Sequence, residues 1–516
     1  MSDKPPPADE DYVAPAAALA ILLVLAYLTW KTVAFLRPRN QHSLRSVAIL
    51  VLGDIGRSPR MMYHAQSFAE CDFVTDLIGY KGSRVIPSLE RLPKVQLHYL
   101  AEPPTWLRHL PFVITAPFKI FHQILTILVA LIVDIEEAPE FLLVQNPPSI
   151  PNLALVWLVG RIRGSKVIID WHNLGYSILA LKLGDHHLYV RISRWFESYF
   201  GRSAYAHLFV TQAMRDYLVK EWDLQGHKIV LHDRPHGQFH RATPQEIHDV
   251  RAFSLPQQRL SGPVSRPPPI SDTVTQPTFT EIAPPHLRGD RPALVVSSTS
   301  WTADEDFGML IEALEMYERA AGEGEGQGGG SGQKGKSLPK VLCVVTGKGP
   351  LRAEYMRRVG KLQAGWKSVR CVSMWLEAED YPLLLGAADL GVSLHTSSSA
   401  LDLPMKVVDM FGAGTPVCAL DFACISELVK HGRNGLVFKS SEQLAGQLSR
   451  LPSHASLRGA AGGEGGGGGS KGGSGRGGGG EAGGEEGDWE WSSWDVNWAE
   501  KVRPLLLWDA LGPRQK

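Results

Sequence analysis

Short, unbroken apolar runs alternate with longer stretches of helical periodicity along the first half of the chain. "VAILVL" (47–52), "FLLV" (141–144), "KVIID" (166–170) and "LFV" (208–210) have the length and branched content of strands buried on both faces. The amphipathic stretches between them predict crossover helices, and hence a parallel α/β domain. The pattern fades between about Ala242 and Asp290, where "SGPVSRPPPISDTVTQPTFTEIAPP" is proline-rich and polar and predicts an extended linker or insertion. It resumes with "ALVVSS" (293–298), "KVLCVVTG" (340–347), "VRCVS" (369–373), "DLGVSL" (389–394), "PVCAL" (416–420) and "GLVF" (435–438). These runs predict a second α/β domain of Rossmann type. Two glycine-rich tracts, about 322–336 and 459–487, cannot bury a core and predict surface insertions. "WEWSSWDVNWAEKVRPLLLW" predicts a closing, packed helix.

One apolar stretch is much longer. Residues 13–36 hold a single charge, Lys31, in 24 positions, enough to span a bilayer. Asp3, Asp9, Glu10 and Asp11 precede it against one lysine, and Lys31, Arg37, Arg39 and Arg45 lie at its far end and beyond, so the basic excess places the body of the protein in the cytosol. An uncleaved anchor is expected rather than a secretory signal, whose apolar region would be shorter and whose flanking charges would be reversed. "IFHQILTILVALIV" (120–133) is interrupted by His122 and Gln123 and, at 14 residues, is too short to cross. It reads either as a buried core helix or as a helix lying on the bilayer, with Trp106, Phe112, Phe118 and Phe121 clustered around its start. The expected organisation is a tail and anchor (1–42), a first α/β domain (43–241), a linker (242–290), a second α/β domain (291–450), a glycine-rich insertion (451–487) and a terminal helix (488–516).

Composition removes some function classes. The 53 basic residues are balanced by 53 acidic ones, so there is no electrostatic footprint for nucleic acid. Cys71, Cys343, Cys371, Cys418 and Cys424 form no CxxC pair, and the one Asn-initiated near-match to a glycosylation acceptor, "NPPS" at Asn146, has proline in the middle. A reducing, cytosolic setting is implied.

Two tandem α/β domains predict a ligand cleft at the carboxyl ends of their strands. After "DLGVSL" a helix is expected to begin near Pro404, with Lys406 and Asp409 one turn apart and Gly412 and Gly414 following. A helix N-terminus with a lysine suits a diphosphate, and Asp409 could accept from ribose hydroxyls; read locally, the pair is equally an ordinary solvated one. Lys348, in the glycine turn "TGKGP", could bind phosphate or simply solvate its loop. In the first domain "GDIGRSPR" puts Gly53 and Gly56 in the turn after the first strand, with Arg57 and Arg60 leading into a helix. Such a turn lets a substrate approach the backbone beside two cations, or is a tight connection with surface arginines. Asp54 and His172, at strand ends, are the candidate general bases. His232, His236 and His240 have metal-ligand spacing for a helix, but Pro235 and Gly237 break that helix, and no metal is expected there.

"TGKGPLRAEY", "ADLGVSLHTSSSALDLPMKVVDMFGAGTPVCAL" and "SELVKHGRNGLVF", in that order, resemble the donor-binding half of a GT-B glycosyltransferase. With "VLGDIGRSPRMMYHAQSFA" (51–69), "DWHNLGYS" (170–177), "HDRP" (232–235) and "SSTSWTADEDFGML" (297–310), the chain resembles the mannosyltransferases that add the first mannose to the dolichol-linked chitobiose core of N-glycan precursors. The resemblance covers most of the chain outside the proline- and glycine-rich tracts. It implies a GT-B α/β fold, two Rossmann-like domains facing a cleft, behind an N-terminal transmembrane helix. It further implies inverting β-1,4 transfer from GDP-mannose to N,N′-diacetylchitobiosyl-diphosphodolichol on the cytosolic face of the endoplasmic reticulum membrane, with later mannosyltransferases of the pathway as further candidate partners; no cofactor or metal is expected.

By the same resemblance Lys348 and Lys406 would serve the donor diphosphate and Asp409 its ribose. Gly53, Gly56, Arg57 and Arg60 would serve the acceptor diphosphate. Two positions depart from the pattern. The acidic residue usual eight positions before Asp409 is Leu401, for which neighbouring Asp402 is the candidate substitute, and the Arg and Lys that often follow the first donor strand are missing from "SSTSWTADED". Asp304-Glu305-Asp306 matches the DxD pattern by which another glycosyltransferase fold holds a metal. Thr302 three residues before Glu305 instead reads as a capping box, with the three acids in a first helical turn. An inactive scaffold of the same pathway is the alternative function; the matches at Gly53, Arg57, His172, Lys406 and Asp409 favour an enzyme.

Overall fold

The computed structural model describes residues 27, 29, 45–104, 112–235, 237–249, 280–282, 285–287, 291–302, 305–326, 338–376, 379–396, 399, 401–451 and 493–507. The expected anchor (apart from residues 27 and 29), most of the proline-rich linker, the glycine-rich tract 459–487, Trp106 and Asp304 lie outside the described residues. The chain divides into two compact units, Met1–Phe209 with Tyr217–Ile229, and Val210–Asp216 with Val230–Lys516.

The first unit is built on β1 (Ser46–Asp54), β2 (Val74–Tyr80), β3 (Val95–Tyr99), β4 (Phe141–Asn146), β5 (Lys166–Trp171), β6 (Ser203–Phe209) and β7 (Gln225–Val230). They form one sheet in the order β3-β2-β1-β4-β5-β6-β7, parallel from β3 through β6. The four apolar runs read from the sequence are β1, β4, β5 and β6, and Val47, Ala48, Ile49 and Leu50 are fully buried. The strands not anticipated, β2, β3 and β7, carry polar residues inside their spans. Asp76 of β2 is tolerated because His98 of β3 lies 2.8 Å from its carboxylate, an interaction that raises the His98 pKa against the opposing effect of burial.

Helices α1 (Pro59–Glu70), α2 (Pro87–Arg91), α3 (Phe112–Val129), α4 (Asn152–Arg163), α5 (Gly175–Leu183), α6 (Leu188–Gly201) and α7 (Gln212–Trp222) connect these strands. The stretch expected to be too short to cross a bilayer is extended by α3 and a π turn, Ala130–Asp134. Pro117–Asp134 is long and apolar enough to span a membrane, and 17% of it is buried, far less than a core helix requires.

The second unit carries a small antiparallel pair, β8 (Thr280–Ile282) and β9 (Pro285–Leu287), and a parallel sheet of β10 (Ala293–Ser298), β11 (Val341–Thr346), β12 (Val369–Met374), β13 (Leu390–Ser393), β14 (Val417–Leu420) and β15 (Gly435–Phe438). These six strands coincide, within one residue at each end, with the six apolar runs of the sequence. Their order is β12-β11-β10-β13-β14-β15. The winding therefore reverses between β10 and β13, and the loops after those strands flank a switch point, where open α/β sheets bind ligands. Helices α8 (Pro244–Asp249), α9 (Phe307–Gly326), α10 (Arg352–Leu362), α11 (Asp380–Ala387), α12 (Met405–Gly412) and α13 (Ser441–Leu448) pack around the sheet. The closing segment forms two short helices, α14 (Trp494–Lys501) and α15 (Arg503–Leu506), with Trp494, Trp498 and Leu506 buried.

Candidate active site

At the switch point of the second unit the loop after β10 meets the start of α12. Glu305, 3% exposed, accepts from the Ser300 amide at 2.8 Å and from the Thr299 hydroxyl, and its carboxylate pairs with the Lys406 ammonium. Its backbone also bridges to His395, just after β13. The expected capping box is therefore not formed. Helix α9 begins at Phe307, and Asp306 accepts from the Met309 amide at 3.4 Å. The physical reason is that a buried carboxylate is costly without a counter-charge, so Glu305 turns to Lys406 rather than to a helix end.

Lys406 is the second residue of α12, whose N-cap Pro404 provides no side-chain acceptor. The first-turn N–H groups are thus free of side-chain caps, as an anion site needs. One turn on, burial and then the neighbouring Asp233 carboxylate push the Asp409 pKa up to about 7. Tyr381, its phenol also raised by burial and then by Asp409, donates to Ser298 at 3.1 Å. Gly412 is explained by packing, since a Cβ there would lie 2.3 Å from a Pro235 side-chain atom. Gly347 and Gly349 are explained likewise, since a Cβ at either would come within 2 Å of the Thr299 or Ser300 carbonyl oxygen (1.8 and 1.9 Å). Lys348 between them sits 4.0 Å over the Trp375 ring, and Asp402 accepts from the Ser399 hydroxyl at 3.2 Å. The structure thus assembles Lys406 with Glu305 and Asp409 with Asp233, and gives Lys348 and Asp402 partners of their own.

In the first unit the turn after β1 is organised around Asp54. Its carboxylate accepts from the Gly56 amide at 3.0 Å and from the amide and hydroxyl of Ser83, both at 2.8 Å. Burial pushes its pKa up, but these hydrogen bonds and the Arg57 charge outweigh that and leave it below the usual carboxylate value. Gly56 makes room for the chain's own loop, since a Cβ would lie 2.4 Å from the Ser83 carbonyl oxygen, whereas a Cβ at Gly53 would meet nothing nearer than 4.0 Å. The Arg57 side chain is 81% exposed, its Nε lying 3.5 Å from the Asp54 carboxylate and donating to the Ser83 hydroxyl at 3.2 Å.

Arg60 corrects the sequence reading, because it does not face outward. It is 5% exposed and forks onto Asp170 at 2.8 and 2.9 Å. The same carboxylate meets His64 at 3.2 Å and His172 at 2.9 Å. Burial alone would raise the Asp170 pKa; Arg60, His172 and His64 together hold it well below the usual range. An ionised Asp170 accepts only, so His172 donates to it from Nε2 and its Nδ1 edge is turned away from the carboxylate. His172 is also the member of this group with an exposed side chain, at 22%. An oriented imidazole on a buried carboxylate can take up a proton.

Sequence reasoning passed over the contacts of Asp170 and Asp233, and read Glu305 only as part of a DxD pattern or a capping box. For Asp170 the available signal was an acid ending a buried strand two residues before a histidine. Of the three spaced histidines, His232 contacts Glu427 at 3.1 Å and His240 contacts Glu246 at 3.0 Å. Among the described residues no group of three or more His, Cys, Asp or Glu is placed to hold a metal ion.

Residues 333–454 match the family described as glycosyl transferases group 1. Over 514 residues the chain is 40% identical to a Mus musculus protein named chitobiosyldiphosphodolichol beta-mannosyltransferase, covering 97% of each. A Homo sapiens protein of the same name is 43% identical over 446 residues, covering 85% of this chain and 90% of that protein. A UDP-glycosyltransferase, TURAN, of Arabidopsis thaliana is 43% identical over 413 residues, covering 78% and 87%. Among solved structures, sucrose-phosphate synthase from Thermosynechococcus elongatus aligns over 79% of this chain and 89% of its own, with a TM-score of 0.53 at 13% identity. That likeness bears on the fold, the two-sheet GT-B glycosyltransferase architecture.

Proposed function

The chain belongs to the chitobiosyldiphosphodolichol beta-mannosyltransferase family, a family of hexosyltransferases, and from that premise we propose its donor, mechanism and location. It acts as a β-mannosyltransferase on chitobiosyl-diphosphodolichol, taking mannose from GDP-mannose with inversion and forming a β-1,4 bond at the cytosolic face of the endoplasmic reticulum membrane. The observation that supports this reading most is 40% identity over an alignment that covers 97% of both chains.

The proposed chemistry draws on residues of each unit. The acceptor hydroxyl gives its proton to Nδ1 of His172 as its oxygen attacks the mannose anomeric carbon, and the bond from that carbon to the GDP oxygen breaks with its electrons. Lys406 and the open first turn of α12 hold the charge that develops on the departing diphosphate. Asp409 accepts from the ribose hydroxyls, and Glu305 aims Lys406 before the donor arrives. Exposed Arg57 serves the acceptor diphosphate; Arg60 instead fixes Asp170, which orients His172. Asp54 is the weaker candidate base, because three donors already occupy its carboxylate.

The test is incubation of the purified full chain, in detergent, with a short-chain lipid-diphosphate chitobiose and either GDP-mannose or UDP-sugars. The expected product is one added hexose, from GDP-mannose alone, released by β-mannosidase. Transfer from a UDP-sugar would replace the donor assigned here, and a folded chain that transfers nothing would favour the scaffold.

A further inference from the structure

Helix α6 is built inside out. Its inward positions are Val190, Ser193, Glu197 and Gly201, mostly small or polar, while Leu188, Ile192, Trp195 and Tyr199, spaced as one helical stripe, are 45–62% exposed. The inward polar residues are accounted for within the unit. Glu197 accepts from the amides of Gly175 and Tyr176 at 2.8 and 3.0 Å and from the side chains of Asn146 and Ser149 at 3.0 and 2.6 Å. A Cβ at Gly201 would lie 2.7 Å from the Trp171 ring. Folding therefore explains the polar face and not the apolar one, the reverse of a helix that seats its hydrophobic stripe on a core.

The apolar face does not stop at α6. Helix α6 packs on α5, where Leu181 is 64% exposed, and on α4, which packs in turn on α3. On α3, Phe121 and Leu125 are 62% and 51% exposed, and the span Pro117–Asp134 has a mean hydropathy of 1.6. Side chains of this size in a continuous band exceed the scattered exposure of a soluble surface. Charge selects the partner. Arg191, Arg194 and Arg202 line a groove with Trp195 and Tyr199, and Lys182 ends α5. Glu221 and Asp223 pair with Arg194 and Arg202, leaving Arg191 and Lys182 to meet anions. Aliphatic side chains bordered by Trp, Tyr, Arg and Lys are the composition of a helix that lies in the lipid headgroup region.

We propose that the α5–α6 face is a second membrane contact, lying in the surface of an anionic phospholipid bilayer with its Leu188–Tyr199 stripe below the phosphates. This draws on the reading of a lipid-linked acceptor, and its test does not depend on turnover. Arg191 and Lys182 at the phosphates and aromatic rings just beneath would fix the height of the first unit above the bilayer, so that a membrane-bound acceptor diphosphate meets its site without leaving the surface.

The experiment uses the full chain in nanodiscs of phosphatidylcholine and phosphatidylserine. A nitroxide is placed at Ile192→Cys or Tyr199→Cys in a Cys71→Ser background, the other four cysteines being buried. Glu70→Cys on α1 is the water-exposed control. Collisions with oxygen should exceed those with a nickel chelate at 192 and 199 and not at 70. A label reached mainly by the nickel chelate would overturn the proposal, as would one shielded from both, which would mean a protein partner. In parallel, Leu188→Ser/Ile192→Ser/Trp195→Ser/Tyr199→Ser should lower transfer to acceptor in vesicles by about fivefold or more while sparing detergent-dispersed acceptor, as lost interfacial burial predicts. Equal rates of the variant and the native chain on vesicles would also overturn it. If the mannosyltransferase reading itself failed, neither acceptor would react, and the nitroxide depths would still decide.

Discussion

Each unit places a carboxylate near the carboxyl ends of its strands, and the two are treated in opposite ways. Asp170 in the first unit is wholly buried and yet held ionised, because a forked arginine and two imidazoles surround it. Asp409 in the second stands near another carboxylate and is pushed up to about 7, burial coming first and Asp233 second. A closed network has met the cost of burying charge at folding. A carboxyl raised toward 7 beside a like charge has met no such counter-charge among the described residues, as groups at ligand sites often have not. Under the proposed function, the first arrangement positions a base and the second takes a nucleotide.

The harshest way to break this contrast is Asp170→Ala. It strands the Arg60 guanidinium in the core, and removing one member of a buried ion pair costs about 3–5 kcal/mol. Urea unfolding of the first unit should show a loss of that size, and Arg60→Met with Asp170→Leu should recover most of it. A single-variant loss below about 1 kcal/mol would mean that water already reaches the pair.

On the donor side the expected damage is to turnover as well as to folding. Lys406→Ala removes a charge-assisted contact to diphosphate, about 1.5–3 kcal/mol or roughly 10- to 100-fold in rate, and it lowers the unfolding midpoint because buried Glu305 loses its counter-charge. Glu305→Gln should act through Lys406 and more weakly, raising the donor KM about threefold with kcat largely kept, as loss of pre-positioning does. Unaltered donor kinetics in both folded variants would remove α12 from the donor site.

What was legible in the sequence, and what was not, divides by the range of the interaction. The six strands of the second unit were readable because each is a short apolar run buried on both faces, a local property. Strands β2 and β3 were missed because Asp76 and His98 neutralise each other only once paired across strands. The roles of Arg60 and Glu305 were misread for the same reason on a longer scale. Their partners, Asp170 and Lys406, lie 110 and 101 residues away, and a window of one helix turn sees only an arginine near a glycine turn or a glutamate three residues after a threonine. The placement of Lys406 and Asp409 one turn apart on a helix that starts after Pro404 was legible because their spacing and the helix start beside them are local.

The mildest change sharpens the contrast most. With Asp409 raised from a usual 3.8 to about 7, the folded chain holds a proton that the unfolded chain releases between those values. Stability therefore falls as pH rises through that window and levels off above it, the reverse of the trend set by Asp170, whose depressed pKa favours the folded state until acid protonates it. Ribose hydroxyls donate best to an ionised carboxylate, so GDP affinity should rise with pH through about 7, and Asp409→Asn should flatten the rise. Asp233→Asn removes the like charge but not the burial that is the larger cause, so the midpoint should move down only part of the way toward 3.8. Calorimetric titration of GDP across this range, on the native chain and both variants, measures it. A midpoint unmoved by Asp233→Asn would leave burial as the whole cause; a native profile with no rise near neutrality would take Asp409 off the ribose.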